Sequence, residues 1–187
     1  VTRIALNLLG HQVAWWACVL SARADAARIG IGVALMVSSL HLMFSRDRKF
    51  EAWSIPLAAA IGYAVDTVAT LLGALDFPAQ TNPLLPAPIW IAALWLAFAT
   101  TINTSLTWLR SRPIAAAALG AVSGPVAYAG GAFFDVVTLP NPLLSVAVLA
   151  ILWGAAVPAL VLIASQCASS HHWPKATTVG CCPGDAA

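Results

Sequence analysis

Charge is what this sequence has least of. Only 9% of its 187 residues are Asp, Glu, Lys or Arg, against roughly 25% in a soluble domain. So few charges cannot cover a water-facing surface, and no polar stretch is long enough to form a separate soluble domain. The strict alternation of a membrane β-barrel strand is missing as well. There is no phosphate-cradling glycine loop, no zinc-protease motif and no nucleophile elbow. A net charge of +2 offers no broad basic surface, so nucleic acid is not an expected partner. Four cysteines occur, and three of them (Cys167, Cys181 and Cys182) fall in a segment expected to be cytoplasmic, where thiols stay reduced.

What is present is apolar text: 60% hydrophobic residues and a mean hydropathy of +0.86. Lipid is then the solvent for most of the chain. Backbone groups in hydrocarbon must bond internally, so spans this apolar are helices. The reading is an all-α, polytopic membrane protein with spans over 4–22, 27–44, 54–75, 89–109, 114–134 and 143–164. Residues 1–165 form one transmembrane domain, and 166–187 a disordered cytoplasmic tail. Arg3, Arg46, Arg48, Lys49, Arg110, Arg112 and Lys175 fall on one side of these spans, Arg23 and Arg28 on the other. The positive-inside rule makes the first side cytoplasmic, with both termini inside. Ala22-Arg23-Ala24 resembles a signal cleavage site, but the first span is long and holds Asn7, His11 and Gln12, unlike a short apolar signal core. A retained helix is expected.

A weak internal repeat is legible. Asp76 leads to Asn82-Pro83-Leu84-Leu85 and then Leu94-Trp95; Asp135 leads to Asn141-Pro142-Leu143-Leu144 and then Leu152-Trp153. Helices 3–4 and 5–6 would be parallel copies of one hairpin, an arrangement found in transporters. Chance similarity of low-diversity text accounts for it equally simply.

Polar groups inside the spans are the functional candidates. Asp66 lies about twelve residues into its span, near mid-bilayer at 1.5 Å per residue, where a charged side chain costs roughly 2.5–3.5 kcal/mol on insertion scales. It must be protonated, paired or facing a wet cavity. Such a group is a proton carrier, a general acid or a ligand anchor, or else a protonated acid bonding a neighbouring helix. Gly62, Thr70 and Gly73 share its helical face. The fourth span is expected to carry a polar half, with Thr100 and Asn103 chief among its residues; Asn103 needs a partner on another helix or in a cavity. His11 shares a face with Asn7. His41 lies nearer the cytoplasmic end. Each histidine reads as an interhelical hydrogen bonder or as a proton-transfer group. Gly120 and Gly124 form a close-packing GxxxG. Pro125 and Pro158 each free a helix carbonyl, marking kinks or a site lining. The simplest arrangement turns the polar stripes toward one cavity reached from the cytoplasm or inner leaflet. His171-His172 and Cys181-Cys182 in the tail match no zinc spacing, so neither metal nor cofactor is expected.

Trp15-Trp16-Ala17-Cys18-Val19-Leu20, then Phe98-Ala99-Thr100-Thr101-Ile102-Asn103 with Ser105 and Trp108-Leu109-Arg110, then Gly124-Pro125 with Tyr128 and Gly130, resemble an uncharacterised family of small bacterial inner-membrane proteins that contain a domain of unknown function. The resemblance covers about 1–165 and includes an acidic residue in the third span, here Asp66. Its genes often neighbour those for cyclopropane-fatty-acid-synthase-like methyltransferases and flavin-dependent amine-oxidase-like proteins. The resemblance implies an inner-membrane setting and a role in membrane-lipid modification, with membrane lipids and other lipid-pathway proteins as partners; a homo-oligomer is compatible with it. It carries over no catalytic residues. Three functions remain open at this point: an accessory or lipid-binding component, a small proton-coupled transporter using Asp66, and a membrane-embedded enzyme pairing Asp66 with His11 or His41.

Overall fold

The computed structural model describes residues 2–79 and 84–170, with side chains described as far as 165. Asn82 and Pro83 of the repeat motif, and the Cys/His segment after 170, lie outside the described residues. Six helices account for most of the rest: α1 Thr2–Arg23, α2 Ala27–Met43, α3 Arg48–Leu71, α4 Ile89–Ile102, α5 Pro113–Phe133 and α6 Pro142–Ser170, with one 3-10 turn at Thr107–Leu109. Four of them, α1, α3, α5 and α6, are long and apolar enough to cross a membrane. Their outer faces suit lipid: Ile114 is 86% and Leu143 85% exposed, and a surface rich in such side chains is unsuited to water.

The helix ends follow local chemistry. Asp47 caps α3 by accepting a hydrogen bond from the Phe50 N–H, which starts that helix six residues before the expected span. The C-terminus of α3 closes on Gly73 at φ +71°, with Gly73 N–H on Thr70 O and Ala74 N–H on Ala69 O. This paired-bond ending favours glycine because the residue is left-handed. Gly73 therefore ends the helix and does not extend the Asp66 face. Asp25 and Asp135 take the equivalent left-handed positions after α1 and α5.

The fourth helix departs most from expectation. Its 14 residues reach about 21 Å, well short of a 30 Å hydrocarbon core. It ends at Ile102 because Thr100 and Thr101 turn their hydroxyls onto the carbonyls of Ala97 and Phe98, and the N–H groups of Ser105 and Leu106 both converge on Thr101 O. Asn103, Thr104 and Ser105 thus lie in a turn, not on a helical stripe. This helix sits centrally, packed against α1, α2 and α3 with a smaller contact to α6. It is apolar all round, as a helix enclosed by others must be, and it is buried on nearly every side, from Trp90 and Ile91 to Thr101 and Ile102.

The hairpins α3–α4 and α5–α6 each pack internally, and their loops meet where Asp76 and Thr138 exchange two backbone hydrogen bonds of 3.1 and 2.7 Å. Between α5 and α6 the glycines do what a GxxxG predicts. A Cβ on Gly120 would collide with Trp153 O, and one on Gly124 would lie 2.6 Å from the Trp153 ring.

Candidate functional site

Asp66 is 1% exposed. The Trp95 Nε1–H donates to its Oδ2 at 2.5 Å, and the Trp153 Nε1–H donates to its Oδ1 at 3.0 Å. Tyr128 lines the same cavity beside this carboxyl. One carboxyl group thus ties α3 to α4 and α6. The two indoles face each other at 4.5 Å between ring centroids. Each is seated on glycine: a Cβ on Gly62 would overlap the Trp95 ring, as one on Gly124 would overlap that of Trp153. Small residues on α3 and α5 let the bulky rings come close enough to aim their N–H groups inward.

The cluster walls a cavity of about 130 Å³ between α1, α4, α5 and α6, lined mainly by Trp15, Trp90, Trp95, Phe98, Tyr128 and Trp153, with Asp66 and His11 supplying polar atoms. An apolar cavity of about 150 Å³ holds one benzene-sized molecule, so this one accommodates a short hydrocarbon segment. His11 packs edge-on against Phe98 at 5.7 Å, and its Nδ1 has no hydrogen-bond partner among the described residues.

A separate polar network runs toward the end that carries Arg3, Arg46 and Arg110. The Ser105 hydroxyl donates to Asn7 Oδ1 at 2.6 Å. The Asn7 amide meets His41 Nδ1 at 3.3 Å and Thr100 Oγ1 at 3.2 Å. His41 Nε2 reaches Glu51 Oε2 at 2.6 Å. The donor order is consistent from Ser105 through Asn7 to a neutral imidazole bearing its proton on Nε2, and then to Glu51. Four helix-associated segments (α1, α2, α3 and the turn after α4) are joined by this one chain.

The polar candidates therefore divide instead of converging on one cavity. Asp66 and His11 share the aromatic cavity. His41 and Thr100 belong to the Asn7 network. Asn103 accepts from Arg110 Nη2 at 2.9 Å, outside both. Thr70 returns its hydroxyl to Asp66 O, one turn back in its own helix, at 2.9 Å. Among the described residues, no three His, Cys, Asp or Glu side chains group to hold a metal.

Three members of these clusters were missed in the sequence. Trp95 and Trp153 stand out there only as matching landmarks of the repeat, yet an indole N–H buried in hydrocarbon needs an acceptor, and Asp66 is the only carboxylate at mid-span. Glu51 lay outside the expected span; it is 5% exposed, and it and His41 are both on the basic side of their helices.

The model of a family described as "Protein of unknown function (DUF2878)" matches residues 4–159. No curated protein and no solved structure matches the chain. The chain belongs to that family.

Proposed function

We propose that this member of a family without assigned chemistry is an accessory, lipid-binding component of membrane-lipid modification, and that it holds a segment of an acyl chain in the aromatic cavity beside Asp66. The observation that carries this reading is a fully hydrogen-bonded carboxyl set into the wall of an otherwise apolar cavity. Ligand sites are typically apolar with a few polar groups that fix orientation. The protein is read as crossing a bacterial inner membrane six times with both ends cytoplasmic. In the fourth crossing α4 is continued by the turn and 3-10 segment to Arg110, which is tolerable at membrane depth where protein covers the backbone. The paired hairpins α3–α4 and α5–α6 are read as a parallel repeat whose two tryptophans share one acceptor.

The test is a whole-cell lipid profile with and without the gene, complemented with wild type or with Ala127→Phe; Ala127 lines the cavity, and the larger side chain fills it. A missing or shifted lipid species, restored by wild type but not by Ala127→Phe at equal protein level, supports the reading. An unchanged profile overturns it.

One observation favours proton-coupled transport as the second reading. The two indoles can only donate, whereas Tyr128 can donate to a carboxylate or accept from a carboxylic acid. Because Tyr128 lines the cavity beside Asp66, its hydroxyl offers a partner to either protonation state of the carboxyl. Solute uptake that depends on a proton gradient and fails in Tyr128→Phe would support this alternative.

A further inference from the structure

The basic end carries a second cavity, unrelated to whatever occupies the aromatic one. The first turn of α1, the α2–α3 connection and the segment after α4 enclose about 380 Å³, and Arg3, Arg46, Arg110 and Thr104 line it. Asp47 and Glu51 also face it, but both are engaged: Asp47 caps α3 through the Phe50 N–H, and Glu51 pairs with His41. Three guanidinium groups against two carboxylates leave one positive charge. Two buried polar atoms here, Arg110 Nε and Thr104 Oγ1, have no hydrogen-bond partner among the described residues. Excess positive charge together with unused donors calls for an anionic oxygen ligand, and guanidinium groups suit phosphate geometrically.

The cavity does not end at the charges. A groove of about 590 Å³ adjoins it, shares Arg3 and Thr104 with it, and continues past Leu6, Gly10, Val37 and Phe44 between α1 and α2. Leu6 is 65% and Phe44 78% exposed, so this trough opens outward to the bundle surface. Gly10 keeps it open, since a Cβ there would already press on Val37 at 3.2 Å. A singly charged phosphate site continuous with an apolar trough has the shape and charge of one ligand class.

We propose that this protein binds a membrane phospholipid at its basic end, with the phosphodiester held by Arg3, Arg46, Arg110 and Thr104 and one acyl chain lying along the α1–α2 groove. Basic pockets between membrane helices take lipid headgroups by the same physics. The inference does not rest on the Asp66 reading, because it concerns other residues and another cavity.

The test measures phosphatidylglycerol binding to the purified full chain in neutral detergent by native mass spectrometry. Arg3→Gln with Arg46→Gln is expected to weaken binding about tenfold or more. Gly10→Leu, which fills the groove and leaves every arginine in place, is expected to do the same. Arg28→Gln, which removes one positive charge at the opposite end, should stay within about twofold of wild type. Diacylglycerol, which lacks the phosphate, should bind weakly, and glycerol phosphate, which lacks the chains, should not compete. Arg3 and Arg46 are exposed, so an unchanged unfolding midpoint in their double variant separates lost binding from lost fold. Equal weakening by Arg28→Gln would mean unspecific charge attraction and overturn the proposal. Normal binding in Gly10→Leu, competition by glycerol phosphate, or diacylglycerol binding as tight as phosphatidylglycerol would each overturn the lipid assignment.

Discussion

Two buried polar clusters share this bundle and are built on opposite plans. Around Asp66, rigid aromatic donors surround one acceptor, and each indole is locked by a glycine beneath it. Around Asn7, small side chains pass hydrogen bonds in series from Ser105 to Glu51. The first concentrates its interactions on one side chain; the second spreads them over five. A concentrated cluster should be brittle and geometrically exact, and a distributed one should lose stability in small steps.

Asp66→Asn breaks the first plan most severely. Both carboxylate oxygens accept from an N–H, so an amide must point its own NH₂ at one of the two indoles. The expected cost is about 2–3 kcal/mol in unfolding from detergent micelles. The substitution is thus not a neutral way to remove titration. Adding Trp153→Phe removes the opposed donor, and the double variant should recover about 1 kcal/mol relative to Asp66→Asn alone. A double variant that is simply additive would mean the Trp153 bond carries no weight.

Gly62→Ala comes next. Its Cβ overlaps the Trp95 ring, and overpacking of this kind costs about 1–3 kcal/mol. Gly32→Ala on α2 meets nothing within 4 Å and should be neutral or slightly stabilising, because alanine favours helix. Equal effects at the two glycines would dismiss the seating of Trp95 as a constraint.

In the distributed network, Asn7→Ala should cost about 0.6–1.7 kcal/mol, the range measured for hydrogen bonds between membrane helices. Glu51→Gln should cost less, since its amide oxygen still accepts from His41. Thermal unfolding of the two variants side by side checks the order; a larger loss in Glu51→Gln would show the charge of Glu51 to be essential.

The smallest effect is expected for Thr70→Val, within about 0.5 kcal/mol of wild type. Its hydroxyl serves only its own helix, although it is one turn from Asp66. A loss near that of Asp66→Asn would place it in the cluster after all.

Asp66 was legible as a candidate because an ionisable group at mid-span demands explanation whatever surrounds it. His41 was legible as an ionisable group nearer the end of its span, but its partner was not. Glu51 reads as a loop residue until the Asp47 cap is seen to begin α3 early. Depth along the chain also grouped Asn103 and Thr100 with Asp66. Depth is one coordinate of three; it cannot tell which helix a side chain faces, and these residues face different neighbours.

Local chemistry by itself determined that this chain is helical, apolar on its outside and punctuated by basic residues at one end. Those properties follow from composition and from backbone groups that need partners in a medium without water. Tertiary structure alone decided that two distant tryptophans meet on one aspartate, that α4 sits in the centre, and that Arg3, Arg46 and Arg110 line one cavity. Each of these depends on how closely glycine lets helices approach and on which donors find an unclaimed acceptor. Both are properties of pairs of helices, and no single segment of the sequence contains them.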